Sequence, residues 1–549
     1  MVILGVADGP DASAALVVEG RPVSVVAQAS VDRIRRSRAF PSGAIDAALD
    51  VAGLRARDVD RVAIGTSFTP SALLRSRPEL IEKASPWLKE AWRGYSSAMR
   101  RSGLYMLEQD ASRAFFERKL RELGFERARV ELVEHDDAHA SYAWRTQGEP
   151  RVLVVTLDTP GDGAACTVSL GRPLQLDRLH TQTALASICN ARDRVAQHLG
   201  VPASRLGSLA AIEAPPELVA DLGRFVRFDP PGFSQDLVFS RELDAVLGGW
   251  GAEQLAAAVE EVVAEAAAAY VAWWSDRTRV RTVALAGALA EDPRVAAAVL
   301  RKVDRLWVPP AAGDGNLALG AALAVAGAAP RPLADAGLGP QYSDDACYKQ
   351  LSVASLPRTK VEDPDGEAAR RLADGQVVCR YAGALEIGRS AATRAVLFAG
   401  DARGAMKRPP GPVACAVLAG EADFADLDRC ADAARFGTVA LRASPAFAAR
   451  YPTLVRADGT ALPHVVGEGH PLHGVLAAYE ARTGKGALGL LTFRLGGQPP
   501  VTTPNDAVRA WRESDADALL LGPYLVDRSA TAGSAFQKDP NATQSSPAR

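Results

Sequence analysis

The sequence predicts a protein of mixed α/β class with more than one domain. The chain has 549 residues, more than the roughly 250 to 300 residues that one hydrophobic core usually serves. Short apolar runs typical of buried strands, such as residues 151–157 and 282–285, alternate with stretches of helical periodicity, such as residues 109–123 and 252–274. This alternation favours sheets that are covered by helices.

The chain begins with a segment that predicts two consecutive hairpins. Residues 2–26 form three apolar runs, separated by a Gly-Pro-Asp-Ala-Ser turn and a Glu-Gly-Arg-Pro turn. The small residues Gly9 and Ser13 in the first turn would allow backbone N–H groups to approach a phosphate. An ordinary hairpin explains the same pattern, so both interpretations stay open.

A Pro- and Ala-rich segment without periodicity, residues 328–340, marks a domain junction. We therefore expect a first domain over residues 1–335 and a second α/β domain over residues 341–527. The last residues, 528–549, are rich in Ser, Ala, Thr, Gln and Pro and have few bulky apolar side chains. Such a composition buries too little surface to offset the entropy of ordering, so this tail is predicted to be disordered.

Charge and cysteine content favour a cytoplasmic protein that acts on small molecules. The formal charge is −2, from 63 basic and 65 acidic residues, so no strong field favours nucleic acid or a membrane surface as a partner. The six cysteines lie far apart, unlike those of zinc sites or disulfide frameworks. The start lacks a basic signal-peptide region, and no apolar stretch is long enough to span a bilayer.

Four separated side chains predict a metal site. His135 and His139 stand four residues apart, which puts both imidazoles on one face of a helix. Asp158 follows the apolar run at residues 151–157, at the carboxyl end of a predicted strand, where open α/β sheets present site residues. Asp314 lies in a glycine-flanked loop just before a helical pattern.

Two imidazoles and two carboxylates suit a first-row divalent ion such as iron(II), manganese or zinc, and iron(II) is our first choice. Each of the four residues, taken alone, also has an ordinary explanation that involves no metal. Histidines occur on surfaces and in cores, and aspartates cap helices or form turns. The metal hypothesis depends on the set of four.

Motifs along most of the chain resemble those of the O-carbamoyltransferases of antibiotic and nodulation-factor biosynthesis. Residues 135–144 are similar to the signature His-His-x-x-His-Ala-x-x-Ala-Phe of that family. Residues 309–321 are similar to its pattern Pro-Pro-x-x-Gly-Asp-x-Gly-x-Ala-x-Gly-Ala. Further similar segments are, in chain order, residues 3–15, 33–41, 339–343 and 503–507.

The resemblance implies an actin/Hsp70-like (ASKHA) duplicated N-terminal domain followed by a YrdC-like α/β domain. It implies that the YrdC-like domain makes carbamoyl adenylate from ATP and carbamoyl phosphate. The first domain would then pass the carbamoyl group to a hydroxyl of a small natural product. The metal positions of the family carry over to His135, His139, Asp158 and Asp314.

The resemblance also implies nucleotide and phosphate contacts. Gly9 and Ser13 fall in the segment similar to the opening motif of the family, and Gly287-Ala288 followed by Asp292 replaces a Gly-Gly…Asn nucleotide loop of the family. Three arginines would clamp phosphate oxygens, which guanidinium groups match bidentately, or would be solvated surface residues instead. These arginines are Arg389, Arg394 and Arg408.

The activating domain departs from the family pattern at several positions. Ala384 and Leu462 replace arginines, and Leu490 lies in a segment that has lost two asparagines. An apolar side chain cannot replace an amide in polar recognition. In the first domain, Pro10 and Asp136 replace family histidines.

The leading hypothesis is therefore carbamoyl transfer to a hydroxyl, with Asp11 or Asp136 as the base. The departures motivate an alternative, a metal- and nucleotide-binding pseudoenzyme or accessory protein of a biosynthetic pathway. A sugar kinase or ATPase is a third possibility, because one fold supports many functions, although the histidine pair and the second domain argue against it. The acceptor and the oligomeric state are not identified by the sequence.

Overall fold

The computed structural model describes residues 1–65, 86–102, 105–210, 212–235, 241–388, 392–401 and 413–531. Two predicted phosphate contacts, Arg389 and Arg408, and the predicted tail beyond Thr531 lie outside these residues. Within them, no helix combines the length and the apolar character needed to cross a membrane.

The first sheet is built from the two predicted hairpins and two later strands. Its described strands are β1 (Val2–Ala7), β2 (Ser13–Val18), β3 (Arg21–Ala27), β4 (Arg61–Ile64) and β5 (Arg129–Leu132). Their order is β3-β2-β1-β4-β5. The strands β1, β2 and β3 pair antiparallel, which confirms the hairpins, whereas β4 runs parallel to β1 and to β5.

The second sheet repeats this topology. Its described strands are β6 (Val152–Gly161), β7 (Ala164–Gly171), β8 (Leu176–Thr183), β11 (Thr282–Ala286) and β12 (Arg305–Trp307), with a separate hairpin of β9 (Val226–Asp229) and β10 (Gly232–Gln235) between them. The order is β8-β7-β6-β11-β12, with the same strand directions as in the first sheet. This internal repeat confirms the duplicated actin/Hsp70-like class.

The third sheet lies in the C-terminal part and mixes parallel and antiparallel pairs. Its described order is β13-β22-β21-β14-β15-β20-β16-β19, beside a small pair of β17 and β18. These strands are β13 (Thr359–Lys360), β14 (Val378–Tyr381), β15 (Arg394–Ala399), β16 (Ala414–Leu418), β17 (Leu441–Arg442), β18 (Thr460–Ala461), β19 (Pro463–Val466), β20 (Ala487–Thr492), β21 (Ala518–Leu521) and β22 (Tyr524–Asp527). The C-terminal part is therefore α/β, as predicted.

Helices cover the sheets. The long helices predicted near residues 109–123 and 252–274 are present as Tyr105–Glu122 and Ala252–Thr278. The other described α-helices are Gln28–Asp32, Ser42–Ala52, Pro86–Ser102, His135–Arg145, Cys189–Leu199, Leu206–Leu209, Pro216–Gly223, Arg241–Gly248, Pro293–Leu300, Leu317–Ala326, Asp344–Val353, Pro364–Ala373, Ala431–Ala434, Pro445–Arg450, His473–Thr483, Pro504–Glu513 and Arg528–Thr531. The last of these occupies the start of the segment that was predicted to be disordered.

Two of these helices meet at very short range. The helix Leu317–Ala326 packs on the helix His135–Arg145 at Gly320, where a Cβ atom would lie 2.1 Å from the carbonyl oxygen of Ala138. It also lies on β1 at Gly5, where a Cβ atom would come within 1.9 Å of the carbonyl oxygen of Ala318. Glycine is required at both contacts because no other residue leaves the space.

The N- and C-terminal parts are in direct contact. Arg33 donates to the carbonyl oxygens of Pro500, at 2.7 Å, and Pro499, at 3.0 Å. The Thr438 hydroxyl donates to the carbonyl oxygen of Val308 at 2.9 Å. Val308 lies just before the loop that carries Asp314, so the C-terminal part contacts the strand end from which that loop leaves.

Candidate metal centre

The helix His135–Arg145, which we call the histidine helix, holds the two predicted imidazoles one turn apart. The Nε2 atoms of His135 and His139 are 3.1 Å apart. His139 is 1% exposed and His135 is 12% exposed. The pair is therefore almost enclosed, with His135 nearer to solvent.

The two aspartates approach the imidazoles from different elements. The Oδ2 atom of Asp158, in β6, lies 2.8 Å from Nε2 of His135 and 2.9 Å from Nε2 of His139. The Oδ1 atom of Asp314 lies 3.5 Å and 3.4 Å from the same two nitrogens. One ligand atom from each of the four residues lies within 4.8 Å of the others. The predicted convergence of the four side chains is present.

The four groups shift one another's pKa values. Burial alone would lower the pKa of His135 and His139, but the carboxylates of Asp158 and Asp314 outweigh it. They raise the pKa of His135 well above its usual range and that of His139 to about 9. Burial would raise the pKa of both aspartates, yet the two imidazoles hold each of them below its ordinary value. The carboxylates are therefore ionised at neutral pH.

The donor set fits a divalent ion. Asp314 Oδ1 is buried and makes no hydrogen bond among the described residues; the nearest cationic groups are the two imidazoles at 3.4 and 3.5 Å, which leaves a buried carboxylate oxygen available to a metal ion. Two imidazole nitrogens and two carboxylate oxygens within one coordination radius are ligands that first-row divalent ions accept.

Backbone amides hold Asp158 in place. Its other oxygen, Oδ1, accepts hydrogen bonds from the amides of Thr159, at 2.7 Å, and Ala288, at 2.9 Å. Oδ2 is thereby left to face the histidines. The amide of His135 donates to the Asp162 carboxylate at 2.9 Å. Such supporting contacts orient ligands. The contacts from Thr159 and Ala288 are made by backbone amides, so the residue types in the sequence do not predict them.

The two candidate bases occupy different surroundings. Asp136 is 2% exposed, accepts a hydrogen bond from the Thr156 hydroxyl at 2.9 Å, and has a pKa raised by burial. Asp11 is 37% exposed and lies 3.3 Å from Arg36. Burial raises the pKa of Asp11, against the opposing effect of Arg36, and the charge of Asp314 adds to the rise. Asp11 is thus the more accessible carboxylate near the four ligands.

The predicted loop residues differ in their surroundings. Gly9 has a φ of 116°, and open space surrounds the position of a Cβ atom. The Ser13 side chain is fully buried, and its hydroxyl has no partner in the described part of the chain. Gly287 has a φ of 94°, and a Cβ atom there would lie 2.5 Å from the carbonyl oxygen of Leu157. Gly287 therefore permits the close approach that brings the Ala288 amide to Asp158.

Arg394 has structural partners where a phosphate was expected. Its guanidinium donates to the carbonyl oxygens of Thr502, at 2.6 Å, and Pro340, at 2.5 Å. It lies 4.5 Å from the centre of the Tyr381 ring, and the side chain is fully buried. The structure offers no open guanidinium fork at Arg394, so the expected phosphate contact has no support there.

Comparison with known proteins identifies relatives. Residues 369–528 match the family model described as "Carbamoyltransferase C-terminus". The chain is 24% identical to nodulation protein NolNO of Sinorhizobium fredii, over 94% of this chain and 79% of that protein. It is 29% identical to nodulation protein NolO of Bradyrhizobium diazoefficiens, over 41% of this chain and 44% of that protein. The resemblance that the sequence motifs predicted is confirmed.

Solved structures give a weaker comparison. Component A of (R)-2-hydroxyglutaryl-CoA dehydratase from Acidaminococcus fermentans overlaps 59% of this chain and 96% of its own, with 17% identity and a TM-score of 0.33. A score this low supports no conclusion. The family model that matches residues 369–528 supports carbamoyl transfer as the general class of activity.

Proposed function

We propose that this protein transfers a carbamoyl group from carbamoyl phosphate, by way of carbamoyl adenylate made with ATP, to a hydroxyl of a small natural product. The observation that carries the proposal is the convergence of His135, His139, Asp158 and Asp314 in a chain related to nodulation proteins. We assign transfer to residues 1–335 and activation to residues 341–527, which contain all but the last residue of the carbamoyltransferase C-terminus match at residues 369–528.

The first-domain residues would bind and orient the reactants. A bound divalent ion, for which iron(II) is our first choice, would polarise the carbamoyl carbonyl oxygen. The amides of Thr159 and Ala288 fix the carboxylate of Asp158, so little reorganisation is needed when ligands bind. The almost complete burial of His139 excludes water from the inner side of the site.

We assign proton removal from the acceptor hydroxyl to Asp11. Its side chain is exposed enough for an acceptor to reach, whereas Asp136 is buried and bonded to Thr156. The acceptor oxygen would form a bond to the carbamoyl carbon as the bond from that carbon to the AMP oxygen breaks. The acceptor proton would pass to Asp11, whose raised pKa suits a general base.

The proposal is tested with purified protein, ATP, radiolabelled carbamoyl phosphate and a panel of hydroxyl acceptors. We expect AMP and a labelled carbamate ester, and we expect His139→Gln to abolish the ester. The matched control is His198→Gln, because His198 is an exposed histidine on the helix Cys189–Leu199. Folded protein loaded with metal that forms no carbamate with any acceptor would contradict the proposal.

The second domain also motivates the pseudoenzyme alternative. Leu490, in the segment without the family asparagines, is 1% exposed, and Leu462, in place of an arginine, is 7% exposed. Both pack in the core of the third sheet, and Arg394 is bonded to carbonyl groups. Calorimetry with ATP and carbamoyl phosphate separates the two functions. Binding of both with release of pyrophosphate supports activation, whereas binding without pyrophosphate release supports an accessory role.

A further inference from the structure

A buried hydrogen-bond network connects the histidine helix to the loop that carries Asp314. Tyr142 lies three residues after His139 on the histidine helix. Its hydroxyl donates to the carbonyl oxygen of Pro310 at 2.7 Å and accepts from the side-chain amide of Asn316 at 3.1 Å. The same amide donates to Pro310 at 2.9 Å. Tyr142 and Asn316 are each 1% exposed.

The network holds both ends of one short segment. Pro310 lies four residues before Asp314 and Asn316 lies two residues after it. Through its hydrogen bonds to Pro310 and Asn316, Tyr142 therefore connects the residues on both sides of Asp314 to the helix that carries both histidines. On the far side, the helix Leu317–Ala326 starts directly after Asn316 and packs tightly on the histidine helix through Gly320. The loop has little freedom to move away from the imidazoles.

Tyr142 and Asn316 lie in the two segments that resemble motifs of the family, residues 135–144 and 309–321. In the pattern Pro-Pro-x-x-Gly-Asp-x-Gly, Asn316 stands where the second glycine would be. Tyr142 occupies an unspecified position of the histidine signature. Glycine has no side chain that could form these hydrogen bonds. The network of Tyr142, Asn316 and the Pro310 carbonyl, which we call the Tyr142–Asn316 clamp, therefore requires both the Asn316 amide and the Tyr142 hydroxyl.

We propose that Tyr142 and Asn316 are positioning residues for the metal centre. They fix Asp314 against His135 and His139, so that the four ligands are assembled before an ion binds. The inference rests on the metal site of the proposed function. Asp314 Oδ1 makes no hydrogen bond within the described structure and meets the two imidazoles only at 3.4 and 3.5 Å, so the conformation of the loop contributes to its position. Preassembled ligands bind more tightly because binding does not have to order them.

The test compares metal affinity with stability in matched variants. Tyr142→Phe and Asn316→Ala each remove part of the clamp. Tyr381→Phe is the control, because the Tyr381 hydroxyl also donates to a carbonyl oxygen, that of Thr502 at 2.8 Å, from a side chain that is 2% exposed. The dissociation constant for Zn²⁺ is measured by chelator competition, and unfolding in urea is measured on the metal-free proteins.

We expect Tyr142→Phe and Asn316→Ala to weaken Zn²⁺ binding roughly tenfold or more, the usual effect of losing a supporting contact. Tyr381→Phe should leave the affinity within about twofold of the unsubstituted protein, although it removes a similar buried bond. Equal Zn²⁺ affinities for all three variants and the unsubstituted protein would overturn the positioning role of Tyr142 and Asn316 and leave the metal site standing. Failure of the unsubstituted protein to bind Zn²⁺ would overturn the metal site and the clamp together.

Discussion

Glu386 is the clearest residue whose ionisation opposes folding. It lies just after β14, is 9% exposed, and accepts a hydrogen bond from the amide of Ala392. Burial raises its pKa from an ordinary value of 4.5 to about 7, and the nearby charge of Asp335 adds to the rise. The folded chain therefore holds more protons at this residue than the unfolded chain between pH 4.5 and about 7.

Because the folded state binds the extra proton, the contribution of Glu386 to the free energy of unfolding should fall as pH rises from about 4.5 to 7. The size of this effect is on the order of 3 kcal/mol or less. Glu386→Gln cannot ionise and should flatten this dependence, whereas Glu362→Gln, at an exposed position, should not. Urea midpoints at several pH values check the prediction, and an equal slope for both variants contradicts it.

Residue types and spacing allowed the convergence of His135, His139 and Asp158 to be predicted, because imidazoles four residues apart must share a helix face and an Asp at a strand end must lie at the sheet edge. The supporting contacts could not be predicted in the same way. Ala288 acts through its backbone amide, and Tyr142 and Asn316 meet across 174 residues. Nothing in a single sequence connects such positions.

At the level of elements, the contact between the histidine helix and the helix Leu317–Ala326 decides the shape of the site. Gly320→Ala would place a methyl group 2.1 Å from the Ala138 carbonyl oxygen. An alanine normally stabilises a helix by about 1 kcal/mol relative to glycine, so a loss of stability would identify the steric clash.

We expect Gly320→Ala to destabilise the fold by about 1 to 3 kcal/mol, the usual result of overpacking. Gly223→Ala is the control, because open space surrounds the position of its Cβ atom at the end of the helix Pro216–Gly223. The free energy of unfolding in urea checks both variants. A Gly320→Ala protein as stable as Gly223→Ala would show that the helices are not in close contact.

The elements themselves were largely accessible from the sequence. Apolar runs separated by turn residues predicted β1, β2 and β3, and helical periodicity predicted Tyr105–Glu122 and Ala252–Thr278. The close helix contact was not accessible, because Gly320 in an apolar run has no pattern that distinguishes a packing glycine from a weak helix position.

At the level of the whole molecule, Arg33 connects the two parts of the chain. Besides the carbonyl groups of Pro499 and Pro500, it lies 3.5 Å from the Asp506 carboxylate. Arg33→Ala removes these interactions and should weaken the contact between the N- and C-terminal parts. We expect faster proteolysis within residues 328–340, which connect them.

The control is Arg35→Ala, because Arg35 is an exposed arginine two residues away. Identical cleavage rates for Arg33→Ala and Arg35→Ala would mean that the two parts are held together by other contacts. The connection itself was beyond sequence analysis, since Arg33 and Pro500 are 467 residues apart. The repeated order of the first two sheets, in contrast, followed from the family resemblance.

The most direct test is the metal content of protein purified without added ions, measured by elemental analysis. We expect about one first-row divalent ion per chain, and none in Asp158→Asn, which keeps the shape of the side chain but loses the charge. Asp177→Asn, in β8 and away from the four ligands, should retain the ion. A metal-free protein that also binds no ion on reconstitution would contradict the proposed metal site. An Asp158→Asn variant that keeps its ion would contradict it as well.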